Sequence, residues 1–164
     1  MGRELIFAFI EGKGTDHLSR TIHEIWRFND HEIENTHDYI QWLFPLDEKS
    51  KAVPQSPVLT QDEISSLRVS AASQANLKKS TMWFKEYLGR TKVWHRARDH
   101  NHLRVSRVIK CLNLLVSQED SLGFFRMVMK MSKPCESKMI GVRQYWTSLI
   151  LDLTKNQKTP QKSP

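Results

Sequence analysis

The chain has 164 residues, of which 39% are hydrophobic and five are Trp, so it can build one core but hardly two. Its net charge is +7, and its two cysteines, Cys111 and Cys135, lie in no metal-binding spacing and are too few for a disulfide framework. The apolar run at residues 5–10 is too short for a signal core or a membrane span. We therefore expect a cytoplasmic protein with reduced thiols and no membrane insertion.

Two helices are predicted before the first proline-rich segment. Thr15 or Asp16 can cap the first helix, and Asn29 or Asp30 can cap the second. Pro45 ends the second helix, because proline lacks an amide proton and clashes with the preceding turn. Apolar residues recur every three or four positions, as one helix face requires: Leu18, Ile22, Ile25 and Trp26 in the first helix, then Ile33, Ile40, Leu43 and Phe44 in the second.

Residues 45–59 contain three prolines and are predicted to be a connecting loop. The following Thr60-Gln-Asp-Glu63 is a capping box, in which hydroxyl and carboxylate each satisfy a free backbone amide, so a third helix begins there. A further helix, continuous or after a break, extends to Gly89, which is well placed to stop it. The residues predicted to face inward are Ile64, Leu67, Ala71, Ala75, Leu77, Thr81, Phe84 and Leu88.

The C-terminal half continues the helical pattern. We predict helices over residues 101–116, 121–131 and 136–153. The first of them carries a broad apolar stripe: Val105, Val108, Ile109, Leu112, Leu115 and Val116. Residues 154–164 are polar, contain two prolines and lack large apolar side chains, which predicts a disordered basic tail. No stretch alternates with period two, so the predicted fold is all-α. We expect a single compact bundle of about six or seven helices over residues 1–153.

The sequence His37-Asp-Tyr-Ile-Gln-Trp-Leu-Phe-Pro45 is long, aromatic and unusual. It resembles the signature of the opioid growth factor receptor N-terminal family, found in animal proteins and as small stand-alone bacterial proteins. A nine-residue match is specific in a way that a short motif is not. Five further segments are similar to the family: Gly14-Thr-Asp, Thr21-Ile-His-Glu-Ile-Trp, Leu59-Thr-Gln-Asp-Glu-Ile64, Asp99-His-Asn-His-Leu-Arg-Val-Ser-Arg107 and Tyr145-Trp146. The resemblance covers roughly residues 3–152.

The resemblance implies a receptor family and little mechanism. Animal members are described as receptors for an enkephalin peptide that act in or near the nucleus. This chain lacks their long repetitive C-terminal extension and resembles the small bacterial members. No peptide-binding motif residues can be matched here, so the resemblance implies a binding or interaction module whose ligand is unknown.

Polar side chains gather around the nine-residue signature and in the basic block downstream. The set is His37, Asp38, Tyr39, Gln41, Trp42, Asn101, His102, Arg104 and Arg107. They form either a buried network that fixes how two helices dock or a pocket that binds a small ligand. His37 falls on the apolar face of the predicted second helix, as a core histidine or a site residue. We expect Asp38 to pair with Arg104 or Arg107, because an unpaired buried carboxylate is costly.

Charge is distributed unevenly along the chain. Residues 1–50 hold ten acidic and five basic side chains, whereas residues 90–110 hold seven basic side chains and Asp99 alone. These two segments pack on each other, or the basic one binds an anionic partner. In the basic segment, cations flank an aromatic residue in the sequence: Arg90, Lys92, Trp94, Arg96 and Arg98. This composition suits the binding of nucleic-acid phosphates, with a base stacked on Trp94. Nucleic-acid association is therefore the alternative function.

An enzyme is the third alternative. Helical HD-type phosphohydrolases bind divalent metal with a histidine, a His-Asp pair and a distant aspartate. His23, His37-Asp38 and Asp99 occur in that order, but order alone does not create ligand geometry. No Ser-His-Asp elbow, P-loop or Gly-rich phosphate cradle occurs in the sequence. The leading prediction is a non-enzymatic module without metal or cofactor, whose partner is a protein, peptide or small ligand.

Overall fold

The fold consists of helices joined by loops of different lengths, the longest at residues 44–60. The computed structural model describes residues 5–156, and this part of the chain contains nine α-helices and no β-strand. In chain order the helices are α1 (Leu5–Ile10), α2 (Ile22–Ile25), α3 (Asp30–Asn35), α4 (Ile40–Leu43), α5 (Gln61–Val69), α6 (Ala71–Arg90), α7 (His100–Leu115), α8 (Gln118–Met131) and α9 (Ile140–Asn156), with a 3-10 helix at Lys133–Cys135. The all-α prediction is confirmed, but the helices outnumber the predicted six or seven.

The first predicted helix is shorter than expected. Thr21 caps α2 through a capping box with Glu24, so the helix begins after residue 21 and not after Thr15 or Asp16. Asp16 instead accepts hydrogen bonds from two nearby backbone amides, one of them the Leu18 amide at 2.9 Å, and thereby forms a turn. The predicted inward position of Leu18 is also wrong, because its side chain is exposed.

The second predicted helix is two helices. Asn29 caps α3 as predicted, again through a capping box. Thr36 then adopts an extended backbone conformation, and the chain becomes helical again only at Ile40. The break turns the intervening residues away from a regular helical face. His37 is consequently exposed, and its predicted position on the apolar face is wrong.

A polar residue also separates α5 from α6. The predicted capping box at Thr60 is present and begins α5. Ser70 then caps α6 by accepting a hydrogen bond from the Ser73 amide at 3.1 Å. α6 continues past Gly89, so glycine does not stop it. The alanines predicted to face inward, Ala71 and Ala75, are exposed.

α7 forms the centre of the bundle and contacts α5, α6, α8 and α9. Its predicted apolar stripe is confirmed, since five of its members are fully or almost fully buried: Val105, Val108, Ile109, Leu112 and Leu115. Trp146 and Ile150 of α9 pack into the same core. Burying these side chains supplies most of the driving force for folding.

The last helix differs from the prediction at both ends. α9 begins at Ile140, after the 3-10 helix, and extends to Asn156. The predicted domain boundary after residue 153 therefore falls inside α9. The remainder of the predicted disordered tail lies outside the described residues. Within residues 5–156, none of the helices combines the length and the apolar character that crossing a membrane requires.

Candidate ligand-binding cleft

A cleft of about 530 Å³ opens between α4, the loop after it and the exposed side of α7. α4 contributes Ile40 and Gln41, and α9 contributes Tyr145 at one side. His37 comes from the break between α3 and α4. The loop and α7 supply the other lining residues: Leu46, Glu48, Lys49, Ser50, Lys51, Ala52, His100, Leu103, Arg104, Ser106, Arg107 and Lys110. The volume lies within the usual range for small-molecule sites.

Arg104 forms the inner wall of the cleft and is almost fully buried, with 4% of its surface exposed. Its guanidinium donates to the carbonyl oxygens of Ile33 and Thr36, each at 2.8 Å, and to Asn101 Oδ1 at 3.1 Å. A fourth contact, at 3.4 Å, joins it to His37 Nδ1. Arg104 therefore satisfies the free carbonyl groups where α3 ends, and it fastens α7 to the break between α3 and α4.

Arg107 follows one turn later on α7 and is only partly buried. Its Nη1 donates to the Phe44 carbonyl oxygen at 3.1 Å, at the end of α4. Burial lowers the pKa of the Arg107 guanidinium, because desolvation disfavours its charged form. A guanidinium has five N–H donors, so Arg107 can donate further hydrogen bonds into the cleft.

Gln41 lies in the wall of the cleft and has an unpaired hydrogen-bond acceptor. The side chain is 4% exposed, and its Oε1 atom is buried without a hydrogen-bond partner among the described residues. Buried side-chain polar atoms normally have a partner, and an unmade bond costs about 1–3 kcal/mol. An amide with an unpaired oxygen in the wall of a cleft is therefore a candidate for a hydrogen bond with a ligand.

The predicted polar set divides between this cleft and the protein interior. His37, Gln41, Arg104 and Arg107 line the cleft together. Tyr39 is buried and donates to the Ile33 carbonyl oxygen at 3.1 Å; burial raises its pKa. The other two aromatic or imidazole members lie in the core, where Trp42 packs against Phe9 and His102 Nε2 lies 2.8 Å from the Trp94 carbonyl oxygen.

The predicted pairing of Asp38 with Arg104 or Arg107 is wrong. Asp38 Oδ1 accepts from Arg20 at 2.9 Å, and its Oδ2 lies 3.3 Å from His17 Nε2. The break before α4 directs Asp38 toward the turn after α1, on a different side from α7. The Arg104 guanidinium donates to backbone carbonyl groups and does not pair with a carboxylate.

A second polar cluster lies behind the cleft around Glu34. Its carboxylate accepts hydrogen bonds from the Tyr87 hydroxyl and, at 3.0 Å, from Asn101 Nδ2, and it lies 3.3 Å from His100 Nε2. Burial alone would raise the pKa of Glu34, but these hydrogen bonds outweigh it and hold that pKa low. Burial, and then the positive charge of Arg104, lower the pKa of His100.

Metal-ligand geometry is limited to one group in the described part of the chain. Glu34, Asp99 and His100 place one ligand atom each within 4.8 Å of one another. Asp99 already caps α7 through the Asn101 amide at 2.9 Å and pairs with Arg96. The HD-type set of His23, His37-Asp38 and Asp99 is not brought together there as a ligand group.

The basic segment at residues 90–98 is mostly engaged within the protein. Trp94 is fully buried and donates to the Leu88 carbonyl oxygen at 3.0 Å, so its predicted role as a stacking platform for a base is wrong. Arg90 pairs with Asp30 at 2.8 Å, and Arg96 pairs with Asp99 at 2.5 Å. The two remaining predicted cations, Lys92 and Arg98, are exposed.

Sequence reasoning missed several lining residues of the cleft. Lys49 and Lys51 come from the proline-rich segment that was predicted only as a connection, and Tyr145 comes from the last helix. A Lys-Ser-Lys sequence that follows the nine-residue signature after three intervening residues was the available signal. His100 and Lys110 border the cleft from the two ends of the basic stretch on α7.

The fold and the cleft together define an all-α domain with a basic cleft beside its central helix. The family model described as the opioid growth factor receptor (OGFr) conserved region matches residues 9–92, slightly more than half of the chain. The chain therefore belongs to the opioid growth factor receptor conserved-region family. No curated protein and no solved structure matches it. The likeness of residues 99–107 and of Tyr145-Trp146 to the family lies outside the matched range and stays a prediction.

Proposed function

We propose that this chain is a non-enzymatic binding module that holds a small ligand in the cleft between α4, the following loop and α7. The observation that supports this most directly is the unpaired Gln41 Oε1 in the cleft wall. Around it, two guanidinium groups from α7 are oriented by backbone carbonyl groups, so they are held in place before any ligand arrives. The matched family is a receptor family by its description, which fits a binding role.

A second glutamine provides the comparison that tests this proposal. Gln74 Nε2 donates to the Leu67 carbonyl oxygen at 3.0 Å and to the Leu115 carbonyl oxygen at 2.8 Å, so its amide has a structural purpose. Gln41 has no such bonds, and its open acceptor costs free energy in the empty protein. The two residues should therefore respond to the same substitution in opposite directions.

The experiment combines denaturant melts with native mass spectrometry of protein purified directly from cells. Gln41→Leu should raise the free energy of unfolding of the ligand-free protein by about 1 kcal/mol, whereas Gln74→Leu should lower it by about 1–3 kcal/mol. Wild type and Gln74→Leu should retain a small ligand that Gln41→Leu has lost. A Gln41→Leu protein that is destabilised like Gln74→Leu would contradict the proposal, because its amide would then be structural.

A further inference from the structure

The cleft carries a surplus of positive charge that the protein does not neutralise. Five cationic side chains line it, and Glu48 is the one acidic lining residue. Lys110 Nζ lies 2.5 Å from Glu48, so that carboxylate is already paired. Within the described residues, no ion pair forms at the four other cations: Lys49, Lys51, Arg104 and Arg107. Cations in a concave, partly desolvated site attract anions strongly.

The two arginines are suited to different tasks. Both terminal nitrogens of Arg104 are occupied by contacts with α3, Asn101 and His37, so Arg104 supplies charge and few free donors. Arg107 uses only Nη1, toward Phe44, and keeps most of its donors for a ligand. A guanidinium with free N–H groups binds the oxygens of a phosphate or carboxylate in bidentate fashion. Four cations around one anion favour a dianionic phosphate over a singly charged carboxylate.

The rest of the ligand is defined by groups that a phosphate alone does not satisfy. Gln41 Oε1 is an acceptor without a partner among the described residues, and a phosphate dianion has no proton to donate to it. A hydroxyl group on the same molecule supplies that donor. Tyr145, 52% exposed at the rim, adds an aromatic surface beside these polar groups. The cleft of about 530 Å³ accommodates a small organic molecule and is far too small to enclose a macromolecule.

From these observations we infer that the cleft binds the phosphate ester of a small hydroxylated molecule, of the kind represented by sugar phosphates. Arg107, Lys49 and Lys51 contact the phosphate, Arg104 adds charge behind it, and Gln41 accepts a hydrogen bond from a ligand hydroxyl. The inference rests on the binding function proposed above and specifies the chemical class of its ligand.

Titration of isotope-labelled protein, monitored by NMR, tests the inference with three probes: ribose 5-phosphate, inorganic phosphate and ribose. Ribose 5-phosphate should shift the side-chain signals of Gln41 and Arg107, and it should bind more tightly than inorganic phosphate. Ribose alone should produce no saturable shift. The inference would be overturned if ribose 5-phosphate bound no more tightly than inorganic phosphate and left the Gln41 signals unchanged.

Two double variants with the same change in net charge separate site binding from general attraction. Lys49→Gln with Lys51→Gln should weaken ribose 5-phosphate binding about tenfold, because two exposed charge pairs with the phosphate are lost. Lys92→Gln with Arg98→Gln should change it less than about twofold, because both residues lie outside the cleft. Equal weakening by both variants would overturn the inference, since it would indicate attraction to net charge alone.

The failure of this inference can be distinguished from failure of the binding function. If native mass spectrometry detects a retained ligand without phosphate, and Gln41→Leu loses it, the binding function stands and the phosphate ester is wrong. If wild-type protein retains nothing and no probe shifts Gln41, both proposals fail. Retention of a phosphorylated small molecule that depends on Gln41 supports both.

Discussion

The two halves of α7 are held in the bundle by opposite kinds of contact. Residues 108–115 bury an apolar stripe, and Gln74 and Arg68 satisfy carbonyl oxygens at their end. Residues 100–107 instead bury polar groups, among them Arg104, whose partners are mostly backbone carbonyl oxygens of other elements. The first kind of contact closes the core completely. The second leaves Arg104 and Arg107 lining a cleft, together with Gln41 of α4 and the lysines of the loop that follows it.

The largest effect should come from the apolar half. Ile109 is fully buried, so Ile109→Ala leaves a cavity and should lower the free energy of unfolding by about 2–5 kcal/mol. The control is Leu103→Ala in the polar half, where the side chain is 67% exposed and the change should stay within about 0.5 kcal/mol. Urea melts measure both. Similar losses from the two variants would show that the halves do not differ in the way described.

The next effect tests the polar half through Arg104. Arg104→Ala removes the donors to the carbonyl oxygens of Ile33 and Thr36 and should cost about 2–4 kcal/mol. Arg104→Lys keeps the charge but loses the fork that reaches several acceptors, so it should recover less than half of that loss. Denaturant melts at moderate salt decide the matter. Full recovery by lysine would show that charge, and not the pattern of hydrogen bonds, fastens α7 to the end of α3.

A smaller effect should appear in the pH dependence of stability, through Asp99, which caps α7 just before this polar half. Burial would raise the pKa of Asp99, but the Asn101 amide and the Arg96 guanidinium outweigh it and hold the pKa below its usual value. A carboxyl group with a lowered folded pKa stabilises the protein above its unfolded pKa of about 4, and that contribution disappears as the pH falls through the folded value.

Asp99→Asn keeps an oxygen that can cap α7 and removes the charge. Wild type should therefore be more stable than this variant near pH 6, and the difference should shrink as the pH falls below about 4. Asp152→Asn, at an exposed position on α9, serves as the control for the loss of one negative charge. A difference that stays constant from pH 6 to pH 2 would contradict the role assigned to the Asp99 carboxylate.

Local sequence signals predicted the elements that local contacts determine. The capping box at Thr60, the cap at Asn29 and the apolar stripe of α7 each depend on residues a few positions apart, and each is present. The break between α3 and α4 depends on Arg104, about 70 positions away, and no local pattern reports that contact. Periodicity therefore continued the helix through His37 and placed that residue on the wrong face.

The candidate site was predictable in the same uneven way. Clustered polar residues identified Gln41, Arg104 and Arg107, because the chain must satisfy or use such groups wherever they are buried. Their partners could not be assigned from charge alone, since the carbonyl groups that bind the guanidinium groups exist in every residue. Lys49 and Lys51 were missed because the local sequence of a loop does not show which surface the loop packs beside.

The smallest effect on the free energy of unfolding should come from Asp38. This residue pairs with Arg20, outside α7, and so provides a comparison with the contacts that Arg104 of α7 makes. Asp38 is 30% exposed in its side chain and pairs with Arg20, which also contacts the buried Asp16 carboxylate at 2.6 Å. Removal of Asp38 leaves Arg20 with its stronger partner, so Asp38→Ala should cost less than about 1 kcal/mol. A double-mutant cycle of Asp38→Ala with Arg20→Ala should show a coupling of similar size, whereas a cycle with Arg104→Lys should be additive. Coupling between Asp38 and Arg104 would contradict the placement of Asp38 beside Arg20 and His17.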